Sequence, residues 1–175
     1  MSEVHIRKME QSDLAAVGVL AGRLVRAHHA YDPARFMKPV DPERGYTRWF
    51  AKQLESDQAI LLVAADERDI VGYVYAQMEP RSYNELLDAC VRLHDIYVDE
   101  RVRRRGVGEA LLRETFRLAS EKGAPRVVLL TAAQNESAHR LFHRAGFRTT
   151  MLEMTREIEE GDRPAKGPGI SPRRT

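Results

Sequence analysis

The chain has 175 residues, 43% of them hydrophobic and 31% charged, which allows one domain with a proper core and is short for two. Its 28 basic and 26 acidic side chains leave a net charge of +2, too balanced to argue for a nucleic-acid partner despite a pI near 8.8. The lone cysteine, Cys90, excludes an intrachain disulfide and a cysteine zinc cluster, and the absence of a signal-peptide pattern or a long apolar run points to a cytoplasmic protein with no membrane partner.

Residues 4–9 read as a short first strand. Ser12 is a candidate N-cap, and Leu14, Val17, Leu20, Ala21, Leu24, Val25 and His28 then recur at helical spacing to about residue 29. His28 and His29 are adjacent, which is not metal spacing, and no metal is expected. Pro33 and Pro39 make residues 31–40 a loop. A second helix opens near Pro42 or Glu43 with Tyr46, Trp49, Phe50 and Leu54 on one stripe, where Trp49 reads first as core packing. Residues 59–65 are continuously apolar, as in a strand covered on both faces. A polar turn over 66–69 leads back into a strand over 70–78, so the pair reads as a hairpin. Gly72 in mid-strand points to a bulge or close packing. Residues 80–90 break the pattern and read as a loop with a short helix around Glu85, Leu86 and Leu87.

Leu93, Ile96 and Val98 mark the next strand. The acidic pair Asp99-Glu100 follows, then Arg103-Arg104-Arg105-Gly106-Val107-Gly108, which opens a helix striped by Leu111, Leu112, Thr115, Phe116 and Ala119 and closed near Gly123. Residues 127–131 read as a buried strand. Residues 135–145 form a short helix with Ala138, Leu141, Phe142 and Ala145 on one side, ended by Gly146. Residues 147–158 read as a last, edge strand. Residues 159–175 carry Pro, Gly and charge without apolar period, a tail that is disordered or loosely attached to a domain spanning 1–158. The order β α α β β β α β α β implies an α/β (α+β) fold built on a mixed sheet with helices on both faces.

The stretch over residues 93–112 organises the chain. The first N–H groups of a helix have no partner inside it, so a strand, a glycine loop and a helix N-terminus make an anion site. Three arginines there oppose the helix dipole by roughly 0.3–1 kcal/mol each, which a bound anion would offset. Gly106 and Gly108 would let a large phosphate approach the backbone. A Walker loop needs Gly-Lys-Ser/Thr, which is missing, and a dinucleotide fingerprint needs a third glycine where Leu111 stands. What remains is Arg103-x-x-Gly106-x-Gly108. This resembles the acetyl-CoA loop of the GNAT (GCN5-related) N-acetyltransferase superfamily. The later run from Asn135 through Ala138, Leu141 and Phe142 to Gly146-Phe147 resembles that family's asparagine-to-Gly-Phe segment. The element order matches over residues 4–158, and the specific motifs cover 93–112 and 135–147.

The resemblance implies a GNAT-like acyl-CoA N-acyltransferase fold and acetyl-CoA as co-substrate. Backbone and side chains of Arg103, Arg104, Arg105, Gly106, Val107 and Gly108 would hold the pyrophosphate. Ile96, Tyr97 and Val98 would lie along the pantetheine arm, with Asn135, Ala138 and Phe142 beside the cofactor. The first two helices and their loop would wall the acceptor pocket, which gives Tyr31, Phe36 and Trp49 a lesser claim on substrate. His94 is the first candidate base and Asp95 the second. Phe142 stands where many members carry a tyrosine acid, and phenylalanine cannot donate. Tyr97 is the first substitute, ahead of Tyr31, Tyr73 and Tyr75. The implied activity is acetyl transfer to a primary amine, of a small molecule first and of a protein N-terminus or lysine as the alternative. A non-catalytic acyl-CoA-binding regulatory module is the other reading, and a homodimer through a C-terminal edge strand stays open.

Overall fold

The computed structural model describes residues 3–159 and 162. The elements are β1 (His5–Lys8), α1 (Leu14–Tyr31), α2 (Pro42–Gln53), β2 (Ala59–Ala65), β3 (Ile70–Glu79), β4 (Cys90–Val98), α3 (Val107–Glu121), β5 (Val127–Leu129) and α4 (Glu136–Arg144). The sheet runs β1-β2-β3-β4-β5, antiparallel between neighbours from β1 to β4 and parallel between β4 and β5.

Both faces are covered, which explains why β2 is apolar throughout. Ile60, Leu62 and Ala64 meet Leu111, Leu112 and Phe142 from α3 and α4. Leu61 and Val63 meet Val17, Leu20 and Phe50 from α1 and α2, together with Tyr73, Tyr75 and Tyr97 of the sheet. The mixed sheet with helices on two faces is therefore as the sequence pattern implied.

Close approach of α2 to α1 depends on two glycines one turn apart. A Cβ on Gly18 would lie 2.8 Å from the Glu43 carbonyl oxygen and against the Thr47 hydroxyl, and one on Gly22 would run into the Glu43 side chain. The seam sets where α2 presents Tyr46, Trp49 and Phe50 to β3.

Four expectations need correction. Ser12 does not cap α1. A 3-10 turn over Gln11–Asp13 precedes the helix, and buried Asp13 accepts from Glu10 N–H at 2.8 Å and from both Arg7 terminal nitrogens at 2.7 and 2.8 Å. Residues 80–89 hold no helix. Leu86 has φ +51°, outside the right-handed helical region, and the turn is closed instead by a Ser82–Leu87 bridge and an Arg81–Asp88 ion pair. The strand read over 127–131 stops at Leu129. Residues 147–158 form no strand: Phe147 N–H closes α4 on the Phe142 carbonyl, and beyond it Met151, Leu152, Met154 and Ile158 are exposed. A strand needs a neighbour. Here Glu153 is drawn instead to Arg35 in the loop after α1. The tail expectation for 159–175 falls mostly outside the described residues.

Two glycine replacements should separate seam from surface. Gly18→Ala forces its methyl into the Glu43 backbone and should cost about 1–3 kcal/mol. Gly45→Ala, on α2 with nothing within 4 Å, should instead stabilise by about 0.5–1 kcal/mol. Denaturant titration of the two variants reads both signs.

Candidate active site

One extra residue in β4 builds the site. The β3–β4 register pairs Tyr73 with Tyr97, Val74 with Ile96 and Tyr75 with Asp95, then Ala76 with Leu93. His94 has no partner and forms a bulge. Simple alternation would send His94 and Asp95 to opposite faces. With the bulge, Leu93, Ile96 and Val98 all pack toward α3 and α4, while His94 stacks on Tyr75 and Asp95 bonds Tyr73 on the face toward α1 and α2. The three-residue step from Leu93 to Ile96 in the sequence is the trace of that bulge.

Asp95 is part-buried beside aromatic rings. The Tyr73 hydroxyl donates to its Oδ2 at 3.2 Å. Burial pushes the Asp95 carboxyl up to about 6, offset in part by the Tyr73 hydrogen bond and by His28 of α1. Burial also raises Tyr73 and Tyr46 well above the ordinary phenol value, with the Asp95 charge adding to both. The His28 Nδ1–H donates to the Leu24 carbonyl at 3.0 Å, and its ring meets Phe36 edge-on at 5.0 Å.

His94 is held on the open side of the same face. Its ring stacks on Tyr75 at 4.9 Å and its Nε2 lies 3.0 Å from Glu79 Oε1. Trp49 meets Tyr75 edge-on at 4.7 Å, so it is half wall and half surface rather than plain core. Glu79 Oε2 accepts from Arg92 Nε at 2.8 Å, and Glu85 holds the other side of the same guanidinium. Tyr46, Glu79, Glu85 and Arg92 were not expected at the site from the sequence. The alternation Tyr73, Tyr75, Gln77, Glu79 was the signal available for Glu79.

The loop after β4 is anchored by a second carboxylate. Asp99 is almost fully buried and accepts from Arg101 N–H at 3.0 Å, Arg101 Nε at 3.1 Å and Arg23 Nη1 at 2.6 Å. Those arginines hold it down at about 2. Arg103 folds back: its Nε donates to the Val98 carbonyl at 3.0 Å and its guanidinium lies over the Tyr97 ring. Arg104 takes φ +62° and Gly106 φ +79°, so the chain turns sharply into α3. Asp41 caps α2 and Asn135 caps α4 through their side chains, but at α3 the cap is Gly106, which has none. The first N–H groups of α3 therefore face outward without a side-chain partner, with exposed Arg104 and Arg105 beside them.

Other expected cofactor residues have packing roles here. A Cβ on Gly108 would lie 3.0 Å from Leu141, so this glycine brings α3 against α4, whereas one on Gly106 would meet nothing within 4 Å. Val107 and Phe142 are buried and Ala138 packs partly buried against the same core; Phe142 meets Phe147 edge-on. Asn135 Oδ1 accepts from Ala138 N–H at 3.2 Å and Ser137 at 3.1 Å. Tyr97 is buried under Arg103. Beside them, β4 and β5 pair only from Val91–Val127 to Leu93–Leu129. From the bulge onward the edge of β4 toward β5 has no partner strand among the described residues, and β4 leads from this edge through the arginine loop into the bare end of α3.

A family model described as Acetyltransferase (GNAT) family matches residues 24–147. The chain belongs to this family. Among curated relatives, YwnH of Bacillus subtilis (strain 168), named as a candidate phosphinothricin acetyltransferase, is 30% identical over 151 residues, 81% of this chain and 82% of that one. The D-amino-acid N-acetyltransferase HPA3 of Saccharomyces cerevisiae is 27% identical over 117 residues, 65% of this chain and 71% of that one. Among solved structures, an aminoglycoside N-acetyltransferase, AAC(6')-Iy in complex with CoA, superposes with a TM-score of 0.71 over 90% of this chain and 96% of that one at 19% identity. No helix among the described residues is long and apolar enough to cross a membrane.

Asp99 should make this loop acid-labile. Its folded value of about 2 lies below the ordinary carboxylate near 3.9, so it contributes about 2–3 kcal/mol above pH 4, lost as pH falls from 4 toward 2. Asp99→Asn should therefore lose stability at pH 7 and converge on the parent near pH 2, read as melting temperature across pH.

Proposed function

We propose that this protein transfers an acetyl group from acetyl-CoA to the primary amine of a small molecule. The observation that carries the reading is the part-buried Asp95 carboxyl with its raised value, set beside the unpartnered edge of β4. Support for the co-substrate comes from the unpartnered edge of β4 and the start of α3. Bare N–H groups at the start of α3, flanked by Arg104 and Arg105, suit a pyrophosphate. The edge of β4 at Ile96 and the Val98 N–H offers main-chain groups to an amide-bearing arm, the Val98 carbonyl being held by Arg103. Bound acetyl-CoA supplies the thioester carbon that the amine attacks.

The residues divide the remaining work. Asp95 takes the proton from the acceptor ammonium, and the freed nitrogen attacks as the C–N bond forms and the C–S bond breaks. At a value of about 6, Asp95 is ionised at neutral pH and still close enough to neutrality to exchange a proton. Tyr73 orients it. His94, tied to Glu79 and stacked on Tyr75, positions the acceptor, which reverses the order of the two bases expected from the sequence. Phe142 fills the core and donates nothing, so the thiolate leaves without a proton from this helix.

Asp95→Asn tests the reading twice. Turnover should fall by about 10²–10⁴ and lose an acid limb centred near pH 6. Stability should move the other way. The folded value is raised above the unfolded one near 3.9, so the parent loses stability as pH rises from 4 through 6. The variant escapes that loss and should be more stable by up to about 3 kcal/mol at pH 7.5, with the gap closing at pH 4. A turnover loss under threefold would return the base to His94 or water. Binding of CoA to both proteins, seen as a raised melting temperature, keeps the cofactor site out of the comparison.

A further inference from the structure

The acceptor face contains a charge arrangement with a consequence for what it can hold. Strands β3 and β4 carry a single Lys or Arg between them, Arg92. That guanidinium is mostly buried and saturated on two sides by Glu79 and Glu85. Four arginines of the neighbouring segments are committed as well. Arg23 is held by Asp99, Arg26 by Glu43 at 2.6 Å, Arg35 by Glu153, and Arg81, at the pocket over residues 79–85, by Asp88 at 2.8 Å.

The anionic side is less filled. Among the described residues Glu79 Oε1 has only His94 as partner, and the Glu79 side chain is 30% exposed. Asp95 lies deeper, at the register position of Tyr75, four residues before Glu79 along β3. At about 3.3 Å per residue those two levels are roughly 13 Å apart. Between them the wall is Tyr75 and half-exposed Trp49, which give an apolar and cation-tolerant surface. Past Glu79 an open pocket of about 480 Å³ continues along residues 79–85.

We infer that the acceptor is a carboxylate-free alkyl- or arylalkylamine, and that free amino acids are excluded. The inference rests on the proposed acetyl transfer at Asp95. A substrate carboxylate would sit among Glu79, Glu85 and Asp95 with no uncommitted cation on the strands to meet it, and like-charge placement is penalised. An amine with an apolar body meets the rings, and a second ammonium, where present, meets Glu79. The D-amino-acid activity in the name of the yeast relative is thus not carried over.

Trp49 is the one tryptophan in the chain, so its fluorescence reports this wall directly. Matched pairs isolate the carboxylate: phenethylamine against phenylalanine, and cadaverine against lysine, titrated with and without CoA. Each amine should bind at least tenfold tighter than its amino-acid partner. Glu85→Gln, a change at a half-exposed side chain, releases one side of Arg92 and should shrink that ratio by threefold or more. Amino acids binding as tightly as the amines would overturn the inference, as would an emission unmoved by all four compounds. Release of CoA thiol from acetyl-CoA is read separately. Amines that bind at Trp49 without being acetylated refute the proposed transfer and leave the acceptor class standing. Acetylation that prefers the amino acids refutes the class and leaves the transfer standing.

Discussion

The bulge at His94 is the constraint on which the rest depends. Without it, Ile96 and Val98 would exchange faces with Asp95 and Tyr97. A one-residue slip moves every later side chain to the wrong side of a sheet. With it, the strand keeps Leu93, Ile96 and Val98 in the core under α3 and sets His94 and Asp95 side by side toward α1 and α2. The same irregularity lies where β4 parts from β5. One local insertion thus supplies the paired polar groups, their aromatic surroundings and the start of the unpartnered edge.

Asp95 and Asp99 show how environment divides two identical side chains on one stretch of strand and turn. Asp99 is ringed by Arg23, Arg101 and a backbone N–H, and its charge is worth more in the folded protein than outside it. Asp95 has one phenol and a wall of rings, and its charge is disfavoured. The first arrangement contributes stability and the second consumes it. A carboxylate kept where it costs stability is a functional candidate on physical grounds, since structural ion pairs push the other way.

Much of this was legible in the sequence, and the failures are specific. The loop from Arg103 to Gly108, the two helical stripes and the continuous apolar β2 follow from period and turn chemistry alone. The 93-to-96 step was visible as well, but a strand reading smooths it into alternation. Gly108 was read for phosphate access alone; its close approach to Leu141 adds a packing role, a tertiary fact no local pattern contains. Residues 147–158 have strand-like composition and no strand, because pairing depends on a neighbour and not on propensity. The Glu79–Arg92–Glu85 network joins three segments whose charges look like ordinary solvated surface when read singly.

The missing tyrosine at Phe142 becomes intelligible from proton energetics. In the proposed reaction an alkylammonium near 10.4 would give its proton to Asp95, at about 6, only uphill, by some four units or about 6 kcal/mol. Positioning the amine against the thioester can supply about 7–11 kcal/mol, so a weak base suffices if the geometry is held. The return step runs downhill. A thiol near 8.5 outcompetes Asp95 for that proton by more than two units, about 3 kcal/mol. Two of the phenols cannot do this work. Tyr73 and Tyr46 are raised above the ordinary phenol value, so proton transfer from either to a thiolate is uphill. In the proposed reaction they orient and exclude water, while the single carboxyl handles the proton. A hydroxyl on the α4 side would add a donor where none is required, and the buried ring of Phe142 instead joins Phe147 in holding α4 against the sheet.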